Sequence, residues 1–412
     1  MLVIGALRPI MRLTRIEDKA YAAFEKVRAS GLAAPKMIVF GSHKLLEVGE
    51  LAYPFAGRGK ALVLMGGRSA RHFGGFDRLA TILDRYRIAV EVFEGISREP
   101  TIEIVNRAAE QARRLRPDAV ISLGGGSVID TGKAVAALAV NPGSVEDYLE
   151  GVGRGFTISQ SPLPHIAIPT TAGTGSEMTK NAVICSPEAG YKKSMRDERM
   201  IPTAALIDPE LSITVPPHVT AFGGMDALTH LIESCITTKR RAEVSDLALE
   251  ALRNLQLGLS VAYEDPGNLP ARERMSYISA VSGVCLANAG LAMAHGIAAA
   301  LGALYDVPHG LACAALLPHS LRYNAVACRE ELGEALAAFL NQSAPEESSI
   351  DEGLAAIESL ARWLQIPTDL KFLNLKEDDL RRLAHASMGS SMSTNPVPMT
   401  AEKVLEFLKL IA

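Results

Sequence analysis

Between residues 36 and 206, short apolar runs alternate with helical stretches, and this alternation restricts the fold more than any other feature of the chain. The apolar runs, several of which end in glycine, are KMIVFG, ALVLMGG, AVEVFEG, DAVISLGGG and HIAIPTT. Stretches with helical periodicity, such as TIEIVNRAAEQARRL, separate them. Strand–helix–strand order with glycine at the strand ends is typical of a parallel sheet that carries helices on both faces. The sequence therefore predicts an α/β domain with a doubly wound parallel sheet.

The β pattern ends near residue 207, and amphipathic helical patterns such as VSDLALEALRNLQLGL and AEKVLEFLKLIA follow. A chain of 412 residues exceeds the usual size of a single hydrophobic core. The segment IPTAALIDPELSITVPP, with its prolines, marks the change of pattern. We predict an N-terminal dinucleotide-binding α/β domain over residues 1–206, including a helical extension up to about residue 34, and an all-α metal-binding and substrate domain over residues 207–412.

Charge and hydropathy exclude several classes of protein. The formal net charge is −4 and the basic residues are scattered, so we expect no nucleic-acid partner. No apolar run reaches the roughly 18 residues that a membrane span needs, and the first residues lack the pattern of a signal peptide, so we expect no membrane association. Five cysteines without a CxxC pair favour free thiols and a cytoplasmic location.

The segment DAVISLGGGSVIDTGKAVAAL combines a strand, three glycines and a helix. Glycines at 124–126 permit backbone angles closed to other residues and let amides approach a ligand closely. Ser127 is the predicted N-cap of a helix whose positive end faces the turn, which suits a pyrophosphate. The motif is neither GxGxxG, since position 129 is Ile, nor a Walker loop, since Ala134 replaces the hydroxyl residue. A plain strand-to-helix turn is the alternative interpretation.

A second strand end, HIAIPTTAGTGSE, is rich in hydroxyl groups. Thr170, Thr171, Thr174 and Ser176 fall at the edge where open α/β sheets bind ligands. Two such loops on neighbouring strands would enclose a dinucleotide. The alternative interpretation of this segment is a solvated polar loop without a ligand. The sequence favours the first interpretation.

The run ALVLMGGRS predicts which dinucleotide is bound. In NAD sites an acidic residue near such a strand end binds the ribose 2′-hydroxyl, whereas NADP needs space and an arginine. Gly66 and Gly67 leave space, and Arg68 supplies a planar cation that matches a phosphate. NADP(H) is therefore favoured over NAD(H), although an arginine at the surface without a ligand would have the same sequence.

Four residues in the second half form a candidate metal site. Asp226 and His230 are four residues apart, so they share one face of a helix. His295 and His309 would lie ~21 Å apart on a continuous helix. The helix must therefore end between them, and GALYDVPHG supplies helix breakers. Donors of nitrogen and oxygen without cysteine suit Fe(II), Zn(II) or Mn(II).

Such an ion, at the predicted seam between the domains, would polarise a carbonyl group or lower the pKa of a bound alcohol, so that an alkoxide forms at neutral pH. An alkoxide beside a nicotinamide is a hydride donor, and the product is an aldehyde or a ketone. These four residues are therefore both the predicted metal ligands and the predicted catalytic residues.

The sequence resembles the iron-containing (group III) alcohol dehydrogenase family from about residue 36 to the C-terminus. The motifs that carry the resemblance are GGGSVIDTGKA, PTTAGTGSEMT, GGMDALTHLIES, YDVPHG and NPVPMTAEKVLEFL, in the family's order. The resemblance implies a dinucleotide-binding domain followed by a helical domain, usually in a homodimer. It also implies metal ligation by Asp226, His230, His295 and His309. The residues that it implies along the cofactor are Gly125, Gly126, Ser127, Asp130, Thr170, Thr171, Thr174 and Lys192.

The chain departs from the family pattern at two positions. Ala299 replaces a second histidine that many members carry and that is thought to assist proton movement and nicotinamide placement. Gly66 stands where NAD-preferring relatives carry Asp, which agrees with the preference for NADP.

We therefore predict a metal-dependent, NAD(P)-linked alcohol dehydrogenase or aldehyde reductase, with Fe(II) as the expected metal and Zn(II) or Mn(II) as alternatives. The small residues of LANAGLAM suit a modest primary alcohol or aldehyde. The main alternative is a relative of dehydroquinate synthase or glycerol dehydrogenase that uses the same two domains on a polyhydroxylated substrate. A metal-dependent hydrolase is a third interpretation, but it would leave the two hydroxyl-rich glycine loops without a purpose.

Overall fold

The computed structural model describes residues 16–67, 69–96 and 99–412. Arg68 and the first fifteen residues of the predicted helical extension lie outside the described residues. The chain divides into two compact units, an α/β unit over Glu17–Val215 and a helical unit over Pro216–Ala412. The boundary predicted after residue 206 falls inside a strand, and the α/β unit continues to Val215.

A six-stranded sheet forms the centre of the α/β unit. All its neighbouring strands are parallel, in the order β1-β8-β5-β4-β2-β3. The strands of the unit are β1 (Met37–Phe40), β2 (Lys60–Met65), β3 (Ala89–Phe93), β4 (Ala119–Gly124), β5 (His165–Pro169), β6 (Asn181–Ser186), β7 (Tyr191–Arg196) and β8 (Ala204–Ile207). Its helices are α1 (Glu17–Ala29), α2 (Val48–Ala56), α3 (Ser69–His72), α4 (Gly75–Arg85), α5 (Ile102–Leu115) and α6 (Gly126–Leu138). The five strands predicted from the apolar runs are β1 to β5.

Strand β2 shows that helices cover both faces of the sheet. Ala61, Val63 and Met65 belong to one buried cluster with side chains of α2 and α4. Leu62 and Leu64, which point to the other face, pack with side chains of α5 and α6. A strand buried on both sides needs a continuous apolar run, and KALVLM provides one after its first residue. The predicted doubly wound parallel sheet is confirmed.

Strands β6 and β7 form a separate antiparallel hairpin that the sequence analysis did not predict. Gly190, with φ +66°, lies in the turn between them. Strand β7 has the sequence YKKSMR, whose adjacent lysines obscure the period of two that identifies a strand.

After Ile207 the described residues contain helices and no strand, as predicted. The helices of the helical unit are α7 (Pro217–Ile236), α8 (Ala242–Glu264), α9 (Leu269–Ala289), α10 (Met293–Tyr305), α11 (His309–Asn324), α12 (Arg329–Phe339), α13 (Ser349–Trp363), α14 (Glu377–Ala386) and α15 (Ala401–Ile411). Short 3₁₀ turns occupy Lys44–Glu47, Val145–Tyr148, Ser176–Met178, Glu198–Met200, Pro209–Ser212, Lys371–Leu373 and Met392–Thr394.

Among the described residues no single helix has the length and apolar character of a membrane span. The pair α9 and α10, bent by 103°, meets those two criteria only when the helices are taken together.

Candidate active site

Helix α7 carries the first two predicted metal ligands. Asp226 and His230 lie one turn apart on this helix, and both are almost completely buried. A charged or polar side chain in such a position needs a partner, because an uncompensated buried charge costs several kcal/mol. The predicted placement of the pair on one helix face is confirmed.

The helix break predicted between His295 and His309 is also present. Helix α10 ends at Tyr305, and Asp306 adopts the left-handed conformation with φ 53° before α11 begins at His309. This reversal brings the ring centroids of His295 and His309 to 5.4 Å from each other. The turn is made by Asp306 and the residues after it, whereas Gly302 lies inside α10.

One carboxylate oxygen, Oδ1 of Asp226, faces both of these imidazoles. It lies 3.5 Å from Nε2 of His295 and 3.6 Å from Nε2 of His309. Two donor atoms that are each ~2.1 Å from one tetrahedral ion are separated by about 3.4 Å. Oδ1 of Asp226 and Nε2 of His295 are also buried without a hydrogen bond to the described residues, which a bound cation would explain. The donor set therefore fits a divalent metal ion.

His230 stands beside this group. Its ring stacks on His295 with centroids 4.4 Å apart and an interplanar angle of 14°. Its Nδ1 is buried and has no hydrogen-bond partner in the described part of the chain. His230 is not among the donors that all lie within 4.8 Å of one another, which are Asp226, His295, His309 and Cys313.

Cys313 lies among the clustered donors, whereas the sequence analysis expected donors without cysteine. It follows His309 by four residues on α11, so both side chains emerge from the same face. Its Sγ lies 3.8 Å from Nε2 of His309, and the residue is fully buried. The spacing HxxxC could have revealed it in the sequence.

Glu233 is a second residue that the sequence analysis missed. It follows His230 by three residues on α7 and is fully buried. Its Oε2 lies 2.7 Å from Nδ1 of His295, and its two oxygens accept hydrogen bonds from the backbone N–H groups of Ala292 and Ala294. Metal-binding histidines usually donate their second N–H to such a carboxylate.

The electrostatics of the cluster favour a cation. Burial acts to raise the pKa of Asp226, but the neighbouring imidazoles of His230, His309 and His295 together outweigh burial and hold the pKa of this carboxyl well below its usual range. Burial lowers the pKa of His230 to about 4, although the charge of Asp226 opposes the shift. An ionised carboxylate beside a neutral imidazole is the combination that binds divalent metals.

In the α/β unit, the two glycine-containing loops pack against each other. A Cβ added to Gly126 would lie 2.7 Å from Oγ1 of Thr174, and one added to Gly125 would lie 3.1 Å from Oγ1 of Thr171. Gly125 has φ −76°, which any residue can adopt, so close packing explains this glycine better than the predicted unusual backbone angle. The two loops are therefore neighbours, as predicted.

The N-cap prediction for Ser127 is wrong. Helix α6 begins at Gly126 with Gly125 as its N-cap, so Ser127 lies in the first turn of the helix. Gly125, Gly126 and Ser127 remain partly exposed at this helix end, where free N–H groups favour an anion. Thr170 continues the sheet beyond β5, and its N–H donates to the carbonyl of Gly124.

The carboxylate of Asp130 is held by protein groups. It accepts hydrogen bonds from Oγ of Ser176 and from the backbone N–H of Val183 at 2.9 Å, and it lies 2.8 Å from Nζ of Lys133. Lys133 is itself fully buried and also donates to Oγ1 of Thr179. Asp130 therefore ties α6 to the second loop.

A cavity of about 510 Å³ opens beside the carboxyl ends of β2 and β3. Its lining residues are Gly66, Gly67, Arg71, His72, Glu94 and Gly95. Arg71 donates to Oε1 of Glu94 through Nε at 2.6 Å.

Lys192, on β7, forms a salt bridge of 2.7 Å with Glu99.

The sequence profile described as "Iron-containing alcohol dehydrogenase" matches residues 35–209, and that of the C-terminal domain of the same family matches residues 220–412. Together they cover most of the chain. The chain belongs to the iron-containing alcohol dehydrogenase family. The resemblance inferred from the five motifs is thereby confirmed.

Two relatives and one solved structure illustrate the similarity. The NADPH-dependent butanol dehydrogenase of Clostridium saccharobutylicum is 30% identical, over 92% of this chain and 96% of the relative. The NAD-dependent methanol dehydrogenase of Bacillus methanolicus is 31% identical, over 78% of this chain and 84% of the relative. The crystal structure of a 1,3-propanediol oxidoreductase superposes with a TM-score of 0.85 at 30% identity, over 92% of this chain and 98% of that structure.

As a member of this family, the protein is an oxidoreductase that acts on alcohols or aldehydes with a nicotinamide coenzyme. None of these similarities supports the alternative of an enzyme like dehydroquinate synthase or glycerol dehydrogenase. Ala299, where many members carry a second histidine, is half-buried on α10 one turn after His295. Its methyl group neither accepts nor donates a proton.

Proposed function

We propose that this enzyme transfers a hydride between a short primary alcohol and the nicotinamide of NADP(H), with an Fe(II) ion held by Asp226, His230, His295 and His309. The observation that carries the proposal is the pair of distances, 3.5 and 3.6 Å, from Oδ1 of Asp226 to Nε2 of His295 and His309. Zn(II) and Mn(II) suit the same nitrogen and oxygen donors.

When bound, the ion would supply Lewis acidity to the alcohol or carbonyl oxygen, and the nicotinamide would supply or accept the hydride. The residues of the chain prepare the site for this chemistry. Asp226 is the one anionic residue among these four ligands, so the four together leave one positive charge on a divalent ion. The side chains of Asp226 and His295 are each only 4% exposed, which limits access of bulk water to the donors.

His309 is the most accessible of these ligands, with 27% of its side chain exposed. The open side of the centre is therefore the side of His309, and we assign the approach of the substrate to it. The small side chains of the segment LANAGLAM, which leads into α10, limit that substrate to modest size.

We assign the coenzyme to the α/β unit. Gly125, Gly126 and Ser127 would bind the pyrophosphate through the N-terminus of α6. Thr170, Thr171 and Thr174 would supply hydroxyl groups along the coenzyme. Asp130 and Lys192 are engaged by protein partners, so we assign them the role of holding this binding surface in shape.

The preference for NADP(H) rests on the cavity beside Gly66 and Gly67. A Cβ added to Gly67 would meet nothing within 4 Å, and one added to Gly66 would meet only ordinary contacts. The cavity has two basic residues, Arg71 and His72, that match a 2′-phosphate. Glu94 pairs with Arg71 and would have to release it when the phosphate binds. Relatives include an NADPH-dependent and an NAD-dependent enzyme, so the proposed preference is supported by the local geometry alone.

We further propose that the enzyme acts in the cytoplasm as a homodimer. Its five cysteines are all free and buried, which suits a reducing compartment. The dimer follows from the resemblance to the family.

The test is an assay of the purified protein loaded anaerobically with Fe(II), in which oxidation of NADPH and NADH is followed with a panel of short aldehydes. We expect NADPH oxidation by the native protein, and neither metal retention nor activity in His295→Ala. His218→Ala, an exposed histidine at the start of α7, is the matched control and should keep both. Elemental analysis measures the metal. A metal-loaded native protein that consumes neither coenzyme would overturn the proposed function, and full metal occupancy in His295→Ala would overturn the ligand set.

A further inference from the structure

Cys313 is a thiol inside the donor cluster of the proposed metal site, and no step of the proposed function uses it. We propose that Sγ of Cys313 is an additional ligand of the metal ion, so that the centre selects thiophilic divalent cations. This inference rests on the proposed function, because it concerns the same ion.

The position of Sγ agrees with shared coordination. It lies 3.8 Å from Nε2 of His309, and the donor atoms of Asp226, His295, His309 and Cys313 all lie within 4.8 Å of one another. A sulfur ~2.3 Å and a nitrogen ~2.1 Å from one five-coordinate ion are separated by about 3.1 to 3.8 Å, for angles of roughly 90 to 120° between them. The thiol is therefore as close to the imidazole as two ligands of one ion would be.

The buried atoms around Cys313 point to a cation independently of the thiol. Oδ1 of Asp226 and Nε2 of His295 are buried and lack a hydrogen-bond partner in the part of the chain that the structure describes. Both belong to the cluster that contains Cys313. The thiol therefore belongs to the same group of donors as the two buried atoms that lack a hydrogen-bond partner.

Other buried cysteines of the helical unit have a different environment. Cys328 donates its S–H to the carbonyl of Asn324, four residues earlier in the chain, and Cys285 donates to the carbonyl of Val244. These are the ordinary hydrogen bonds of thiols that fill a core. Cys313 instead contacts the imidazole of the residue four positions earlier, His309. Cys313 is thus next to atoms that bind metals, whereas Cys328 and Cys285 are next to backbone carbonyls.

Coordination by sulfur changes which ion the centre prefers. On metal binding, the thiol would lose its proton to solvent and bind as a thiolate, and the partly exposed His309 gives the cluster contact with solvent. Thiolates favour Zn(II) and Co(II) over Mn(II), which prefers oxygen donors. The native protein should therefore discriminate between Zn(II) and Mn(II) more strongly than a variant without the thiol.

The experiment uses the full-length protein loaded with Co(II), whose thiolate complexes absorb in the near ultraviolet through sulfur-to-metal charge transfer. We expect this absorption in the native protein and its loss in Cys313→Ser and Cys313→Ala. Cys235→Ser, which removes another buried thiol of the helical unit, is the matched control and should retain it. Competition between Zn(II) and Mn(II) should show a preference for Zn(II) that falls by at least about tenfold in both Cys313 variants.

The native spectrum decides the matter even if a variant fails to fold. Stoichiometric Co(II) binding by the native protein without the charge-transfer absorption overturns the proposal and leaves the four-ligand site of the proposed function intact. An unchanged preference for Zn(II) in folded Cys313→Ser also overturns it. A native protein that binds no divalent metal overturns both the inference and the proposed function.

Discussion

Oε2 of Glu233 lies 2.7 Å from Nδ1 of His295, and both side chains are almost completely buried. A carboxylate only accepts hydrogen bonds, so Nδ1 of His295 carries a hydrogen, and Nε2 is the ring nitrogen that lies beside Asp226. The same carboxylate accepts hydrogen bonds from the backbone N–H groups of Ala292 and Ala294 at the start of α10. Glu233 therefore orients the helix and its first metal-binding imidazole together.

We predict that Glu233→Gln lowers the affinity for the metal by about 10- to 100-fold, the usual effect of losing a group that supports a metal-binding histidine. The carboxylate of Glu233 accepts hydrogen bonds through both of its oxygens, whereas glutamine has one acceptor oxygen. The amide N–H₂ group of glutamine must therefore face an N–H group that donated to the carboxylate. Competition with a chelator measures the affinity. Glu330→Gln, at an exposed position in the first turn of α12, is the control. Equal affinities in the two variants would show that Glu233 does not orient His295.

Gly66→Asp should shift the coenzyme preference from NADPH towards NADH. A carboxylate at the end of β2 repels a 2′-phosphate and accepts hydrogen bonds from ribose hydroxyls. We expect the ratio of kcat/KM for NADPH to that for NADH to fall by at least about tenfold, equivalent to ~1.4 kcal/mol. Gly66→Ala is the control, because it adds a side chain without a charge. Its Cβ would make only ordinary contacts, 3.5 Å from the carbonyl oxygen of Ile96 and 3.7 Å from Val128. An unchanged ratio in the Asp variant would argue against a phosphate site in this cavity.

Asp130→Asn should destabilise the α/β unit more than it weakens coenzyme binding. The substitution removes the charge 2.8 Å from Nζ of the fully buried Lys133, and breaking such a pair costs about 3 kcal/mol. The double variant Asp130→Asn/Lys133→Met removes both charges and should recover part of the loss. Urea denaturation of Asp130→Asn, Lys133→Met and the double variant gives the coupling free energy between the two residues. If Asp130→Asn weakens NADPH binding at unchanged stability, Asp130 contacts the coenzyme directly.

The stability of the α/β unit should fall below pH 6.5 because of His165. Burial, with a smaller effect from Lys133, lowers the pKa of this histidine to about 3 from the usual 6.5, and Ser122 forms a hydrogen bond with its ring at 2.9 Å. Below pH 6.5 the unfolded chain binds a proton that the folded chain does not, so each pH unit costs about 1.4 kcal/mol until the folded pKa is reached.

The measurement compares urea denaturation at pH 7.5 and pH 5. The native protein should lose roughly 2 kcal/mol more than His165→Gln over this interval, whatever the effect of the substitution at pH 7.5. His72→Gln, an exposed histidine of the same unit, should behave like the native protein. Identical pH dependence in His165→Gln would mean that His165 is not buried in its neutral form.

The alternation of apolar runs and helical stretches was sufficient to predict the parallel sheet and the helical half, because these patterns depend on neighbouring residues alone. The hairpin of β6 and β7 escaped prediction, since the lysines of YKKSMR obscure its period. The N-cap assigned to Ser127 failed because the helix starts two residues earlier than a helix capped by this serine would start. Such boundaries depend on the backbone of the adjacent strand.

By itself, the sequence determined the local patterns on which the candidate site rests: an Asp and a His one turn apart, two further histidines with a helix breaker between them, and two glycine-rich strand ends. Only the tertiary structure decided which atoms meet. The packing of α7, α10 and α11 brings Oδ1 of Asp226 to Nε2 of His295 and His309, and it places Glu233 and Cys313 beside these residues. The reason is physical: a side chain's direction along a helix is a local property, whereas the distance between side chains on different helices is set by how the whole core packs.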